Sequence, residues 1–141
     1  MVNDIIDGMV LALKNEFGDG YEIYAESDVE QGLKEPCFFI ASIESSRTRR
    51  VGQRYLSLNS FDINYFPLAK GGNAEMKSTA DRLYESLEFF ALFNGDIVRG
   101  TAMRDEIIDG VLHFFIDINV FLRREIDEVD MQTVEITVRT V

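Results

Sequence analysis

The stretch DGVLHFFIDINVFL, Asp109 to Leu122, carries the chain's single histidine, His113. Imidazole is the side chain best suited to moving protons near neutral pH. Catalysis asks for more, a nucleophile or an orienting carboxylate within hydrogen-bond reach. Asp117 lies four residues along an extended segment, about 13 Å away, and cannot orient His113 directly. The single cysteine, Cys37, sits in the apolar run PCFFIA and reads as a small buried hydrophobe. His113 is therefore expected to be structural. Carboxylates abound, but DEIIDG and REIDEVD lack the alternating oxygen ligands of a calcium loop. No GxGxxG, P-loop or GxSxG pattern is present, and the paired glycines of AKGGN read as a loop. One cysteine gives neither an intrachain disulfide nor a cysteine-based zinc site. No catalytic residue, cofactor or metal is expected.

The sequence's most unusual charged feature is SSRTRRVGQR. Arg47, Arg49, Arg50 and Arg54 fall within eight positions of a chain with 14 basic and 25 acidic residues, net charge −11. Three readings of this cluster stay open. It could be a solvated hairpin tip whose charges discourage edge pairing. It could be an arm that docks on an acidic protein surface, since arginine pairs with carboxylates through two hydrogen bonds at once. Because the rest of the chain is acidic, self-association follows from the second reading. Contact with DNA phosphates is the third, although a chain of this net charge repels nucleic acid over its bulk surface.

These residues need a scaffold. A chain of 141 residues with 46% apolar side chains, eleven Phe and five Tyr suits one domain, residues 1–141, with a core of its own. Ile5, Ile6, Met9, Val10, Leu13 and Phe17 recur at helical spacing, so residues 3–17 are expected to be a helix, capped by Asn3 and ended by GDG. YEIYA reads as a short strand, CFFIASI as a central one, and ESSRTRRVGQR as a polar loop or hairpin tip. YLSLNSFDINYF alternates with a phase slip; a bulge near Asn59–Ser60 would turn Leu56, Leu58, Phe61, Ile63 and Tyr65 to one face. Residues 74–92 are expected to form a second helix striped by Met76, Ala80, Leu83, Leu87, Phe90 and Ala91, closed by FNGD. Asp109–Gly110 is a type I′ hairpin signal. The strand after it alternates strictly, with Leu112, Phe114, Ile116, Ile118, Val120 and Leu122 on one face. REIDEVD is expected to be an acidic turn. QTVEITVRTV reads as a last strand, with Val134, Ile136 and Val138 on one side.

The fold class is therefore α+β, a mostly antiparallel sheet with two helices packed on one face. Asp4 and Asp7 stand where a secretory signal would carry positive charge. No apolar run is long enough to span a bilayer, so no membrane role is expected. The single cysteine suits a reducing compartment.

The phrases YEIYAESDVEQGLKEPCFFI, RYLSLNSFDINYFP and DIVRGTAMRDEIIDGVLHFFIDINVFL, in that order, resemble the tail terminator or tail-component proteins of tailed phages and prophages of Gram-positive bacteria. The resemblance covers residues 3 to 123 and rests on core strands and turns. It implies a hexameric ring that caps the tail tube, ends its polymerisation and offers a surface for head-completion proteins. The partners implied are further copies of the chain, the tube protein and a head-completion protein, without sequence-specific nucleic-acid binding. The implied location is the virion tail, and the host cytoplasm during assembly. Another neck or head–tail connector protein, or a minor tail component, is the alternative. A small enzyme or ligand-binding domain is the third reading and would need a pocket around His113 or Cys37.

Overall fold

The computed structural model describes residues 1–25, 34–68, 72–126 and 136–140, with the backbone path alone for 124–126 and 136–140. The elements follow as α1 (Val2–Phe17), β1 (Glu22–Ala25), β2 (Cys37–Arg49), β3 (Arg54–Phe66), α2 (Asn73–Ser86), β4 (Phe89–Ala91), β5 (Ile97–Ile108), β6 (Val111–Ile126) and β7 (Ile136–Thr140). The strands form one seven-stranded sheet in the order β1-β2-β3-β6-β5-β4, and β7 pairs with the far end of β6. Among the described residues every pairing is antiparallel except β1 with β2, which is parallel.

The alternating face of β6 is the centre of the core. Leu112, Phe114, Ile116, Ile118, Val120 and Leu122 are all buried. They share one apolar cluster with Ile5, Met9, Leu13 and Phe17 of α1 and Met76, Ala80 and Leu83 of α2. Both helices therefore cover the same face of the sheet, as the α+β reading requires. The β5–β6 turn is the type I′ hairpin: Asp109 and Gly110 have φ of 51° and 77°, and Ile108 pairs with Val111 across it. Among the described residues no helix is long and apolar enough to cross a membrane.

Four expectations need correction. Asn3 lies inside α1; Met1 holds the cap position, and among the described residues no side chain caps the helix. The bulge is not in β3. The β3–β6 register runs unbroken from Arg54↔Arg123 to Tyr65↔Leu112, while β2 carries the extra residue, Ile43, between Ser42↔Phe61 and Glu44↔Ser60. Ser57 and Asn59 consequently continue the buried row of Phe61, Ile63 and Tyr65, and Leu58 is exposed on the other face. Burial of these polar groups is tolerated because Asn59 Nδ2 donates to Ser57 Oγ at 3.0 Å and to the Ile118 carbonyl at 3.1 Å.

The second helix ends at Ser86, and Phe89–Ala91 form the edge strand β4. Neither Gly nor Pro marks that stop. Long-range contact imposes it: the Gly100 N–H donates to the Glu88 carbonyl at 3.0 Å, tying the chain to β5 just past the helix. FNGD belongs instead to the β4–β5 turn, closed by Leu92 N–H to Asp96 O at 2.8 Å. Finally, the stretch called an acidic turn starts as strand, because β6 continues to Ile126 against β7. Residues 127–135, with Val134, lie outside the described residues.

Candidate functional site

His113 carries the side chain best suited to proton transfer. It stands on the sheet face away from the helices, opposite Asn64 in the β3–β6 ladder. The orienting carboxylate comes from β3, not from its own strand. His113 Nδ1 lies 2.9 Å from Asp62 Oδ2, with the two side chains 22% and 17% exposed. A carboxylate only accepts, so Nδ1 carries the proton. The Asn64 amide nitrogen, turned toward the pair, reaches Asp62 Oδ1 at 2.9 Å. The imidazole stacks on Phe115 at 6.2 Å and 16°, and the Arg104 guanidinium lies 4.0 Å from the Phe115 ring centroid. Asp117 is held elsewhere, accepting from Ser60 Oγ at 2.7 Å. Asp62 thus orients the His113 ring, Asn64 in turn holds Asp62, and neither supplies a nucleophile. Among the described residues no three His, Cys, Asp or Glu side chains converge to hold a metal ion.

Cys37 is buried, paired with Glu22 on one side and Phe66 on the other. Burial pushes its thiol up to about 11, and the carboxylates of Glu35 and Glu22 push the same way. At pH 8 only about one molecule in a thousand would hold the thiolate, the nucleophilic form. Native protein is therefore expected to react with a maleimide or disulfide reagent at least about a hundredfold more slowly than protein in denaturant, measured by thiol titration. Because the fold favours the neutral thiol, this contribution to stability is complete below pH 9 and is lost as pH rises through about 11.

The arginine cluster occupies the β2–β3 hairpin. What reads as a polar loop is mostly strand: β2 runs to Arg49 and β3 resumes at Arg54, leaving a four-residue turn in which Gly52 takes φ 70°. All four arginines are exposed. Alternation divides them. Arg47 and Arg49 pair with Ser57 and Tyr55 on the helix-side rows, whereas Arg50 and Arg54 are offset by one residue and belong to the opposite face.

That second pair continues across the sheet. The Arg50 N–H donates to the Arg54 carbonyl at 2.8 Å, Arg54 is opposite Arg123, and Arg123 is opposite Arg139 of β7. Four neighbouring strand ends thus set arginine at four consecutive positions of one cross-strand row. In the next row on this face Leu56 pairs with Phe121, and Leu58, Phe121 and the bulged Ile43 are exposed. Arg123 was not singled out from the sequence. Its own strand pattern is visible in NVFLRREI, but its place beside Arg54 depends on a pairing between residues 69 positions apart.

A second apolar surface lies at the other edge of the sheet. A groove of about 320 Å³ between α1 and β4 is lined by Gly8, Leu11, Ala12, Asn15, Phe89 and Phe90 among others. Leu11, Phe89, Phe93 and Ile97 are exposed beside it.

No curated protein matches the chain. A family model described as phage tail terminator protein matches residues 4–130. That span takes in α1 from Asp4 onward, α2 and the sheet from β1 through β6, and it includes the arginine hairpin. The chain belongs to the phage tail terminator protein family and is a structural protein of the phage tail.

Proposed function

We propose that this protein caps the end of a phage tail tube as a ring of about six copies, ends tube polymerisation and presents the surface on which the head is joined. The observation that carries this reading is the family match over residues 4–130. The hairpin fits it: beyond the bulge at Ile43, β2 is exposed throughout, and its tip offers arginines beside apolar side chains. That mixture suits a protein interface, whose buried centre favours apolar groups and arginine over other charges. Capping is binding work. The cap covers the growing edge of the tube and replaces it with a surface that tube subunits do not recognise. A net charge of −11 also suits a collar through which DNA passes, because like charge keeps the genome from adhering. Assembly would take place in the host cytoplasm.

The test is to mix the labelled protein with purified tail tubes and locate the label by electron microscopy. Label at one end of each tube is the expected result. Label along the tube walls, or on head-side connectors with bare tubes, would replace capping with a minor-tail or neck role.

A further inference from the structure

The arginine row poses an electrostatic problem. Like charges directly opposite one another in adjacent strands destabilise a sheet, yet Arg54 faces Arg123, with Arg50 and Arg139 at the flanking positions. No acidic residue occurs between Ser45 and Gln53. Such a row is relieved when an anionic surface covers it. On one side the row adjoins Leu56 and Phe121 with Thr48 level with them, then Leu58 with Ser46 and Asn119, and on the other side Glu125 and Thr137; arginine set beside exposed apolar side chains favours a protein partner over a nucleic acid.

We propose that this row and its apolar neighbours form a plug that docks head-to-tail into the α1–β4 groove of a second copy of the chain. Three observations select that partner. With the hairpin's four arginines set aside, the remaining residues sum to −15, from a total of −11. The groove has the matching chemistry: exposed Leu11 and Phe89 at its surface, with the exposed carboxylates of Asp4 and Asp7 one turn before Gly8 and Leu11, and Glu85 and Glu88 beside Ser86 and Phe89. The N-terminal amine lies 3.6 Å from Asp4, and Arg82 pairs at 3.0 Å with Glu16 of the groove lining, which leaves Asp7, Glu85 and Glu88 against Lys14, one turn after Leu11, and Arg99, over the Phe89 ring at 5.6 Å. Lastly, plug and groove lie on different parts of the sheet, the plug where β2, β3, β6 and β7 end and the groove at the β4 edge. A positive row cannot pair with itself, so a symmetric two-fold contact through it is disfavoured. A contact between two different patches is heterologous, and it closes into a ring when the rotation permits. The contact goes beyond capping and does not depend on it: any ring of these subunits could use it.

The experiment separates the two halves of the interface. The plug variant carries Arg54→Glu and Arg123→Glu; the groove variant carries Leu11→Lys and Phe89→Lys. All four side chains are exposed, and circular dichroism checks that each variant folds. Mass is followed by light scattering over a concentration series at low and high salt. The wild-type chain is expected to associate, at least tenfold more weakly at high salt. Each variant alone is expected to be a monomer. Their equimolar mixture is expected to form a dimer and nothing larger, because one intact plug then meets one intact groove. A wild-type chain that stays monomeric throughout, a variant that keeps the wild-type mass, or a mixture that stays monomeric would each overturn the proposal. A plug variant that keeps its mass but loses binding to a short DNA duplex would assign the row to nucleic acid instead. A chain that assembles in this way yet ignores tubes would sink capping and leave the contact standing.

Discussion

Truncating Phe114 to alanine is expected to cost about 3–5 kcal/mol of unfolding free energy. Phe114 is fully buried on β6, between Ile63 of β3 and Asp105 of β5. Tyr84 of α2 meets its ring edge-on, with centroids 4.9 Å apart at 74°. Strands on both sides and a helix above keep the site from collapsing, so the lost side chain leaves a cavity. Domains of this size are commonly stable by about 5–15 kcal/mol, so this single change removes a large share. Urea denaturation of the two proteins measures it. The internal control is Phe115, one residue on, whose half-buried ring faces away from the helices. Phe115→Ala should cost clearly less. Equal costs would show that the core is not on the face described.

The second large effect is expected at Gly100. A Cβ built there lies 2.3 Å from the Leu87 carbonyl oxygen and 2.6 Å from Ile116 Cδ1. The oxygen is backbone at the end of α2, where the Leu87 N–H still donates to Leu83 and the Gly100 N–H donates to Glu88. It cannot move without loosening those bonds. Gly100→Ala is expected to cost about 1–3 kcal/mol, the usual range for overpacking, and Gly100→Val more. Gly20, with nothing near its missing Cβ, is the matched control, and Gly20→Ala should be close to neutral. Thermal unfolding of the three variants beside the wild type decides the matter. A neutral Gly100→Ala would mean that α2 does not press on β5 in this way.

These two sites show what could be read from the chain in advance. Phe114 belongs to a strict alternation of six apolar residues, and such a pattern names both the strand and its buried face locally. The helix at the N-terminus and the Asp109–Gly110 turn were legible for the same reason: each is encoded within a dozen residues. Gly100 carried no such signal, because its role depends on the place where α2 stops, and α2 stops through contact with β5. The bulge followed the same logic. Tyr55 to Phe66 shows two phases of alternation, which a bulge in that strand could explain. The fold instead keeps β3 regular, buries Ser57 and Asn59 with hydrogen bonds, and places the irregularity at Ile43 in the partner strand.

Site residues divide along the same line. Arg47, Arg49, Arg50 and Arg54 stood out as a cluster in one dimension. Their separation onto two faces, and the extension of one pair to Arg123 and Arg139, exists only in the register of four strands. Along its own strand His113 has only Asp117 to offer as a carboxylate; its partner, Asp62, comes from the neighbouring strand. Sequence spacing finds contacts along a strand, whereas this site is built across strands.

The claim that this protein caps tail tubes is tested most directly by tube growth. Purified tail-tube subunits are set to polymerise, and tube lengths are measured by electron microscopy with and without the protein added after growth has begun. Growth is expected to stop soon after addition, at a ring-to-tube ratio near one and far below the subunit concentration, leaving lengths fixed at that moment. Tubes that keep lengthening in the presence of excess folded protein would contradict capping.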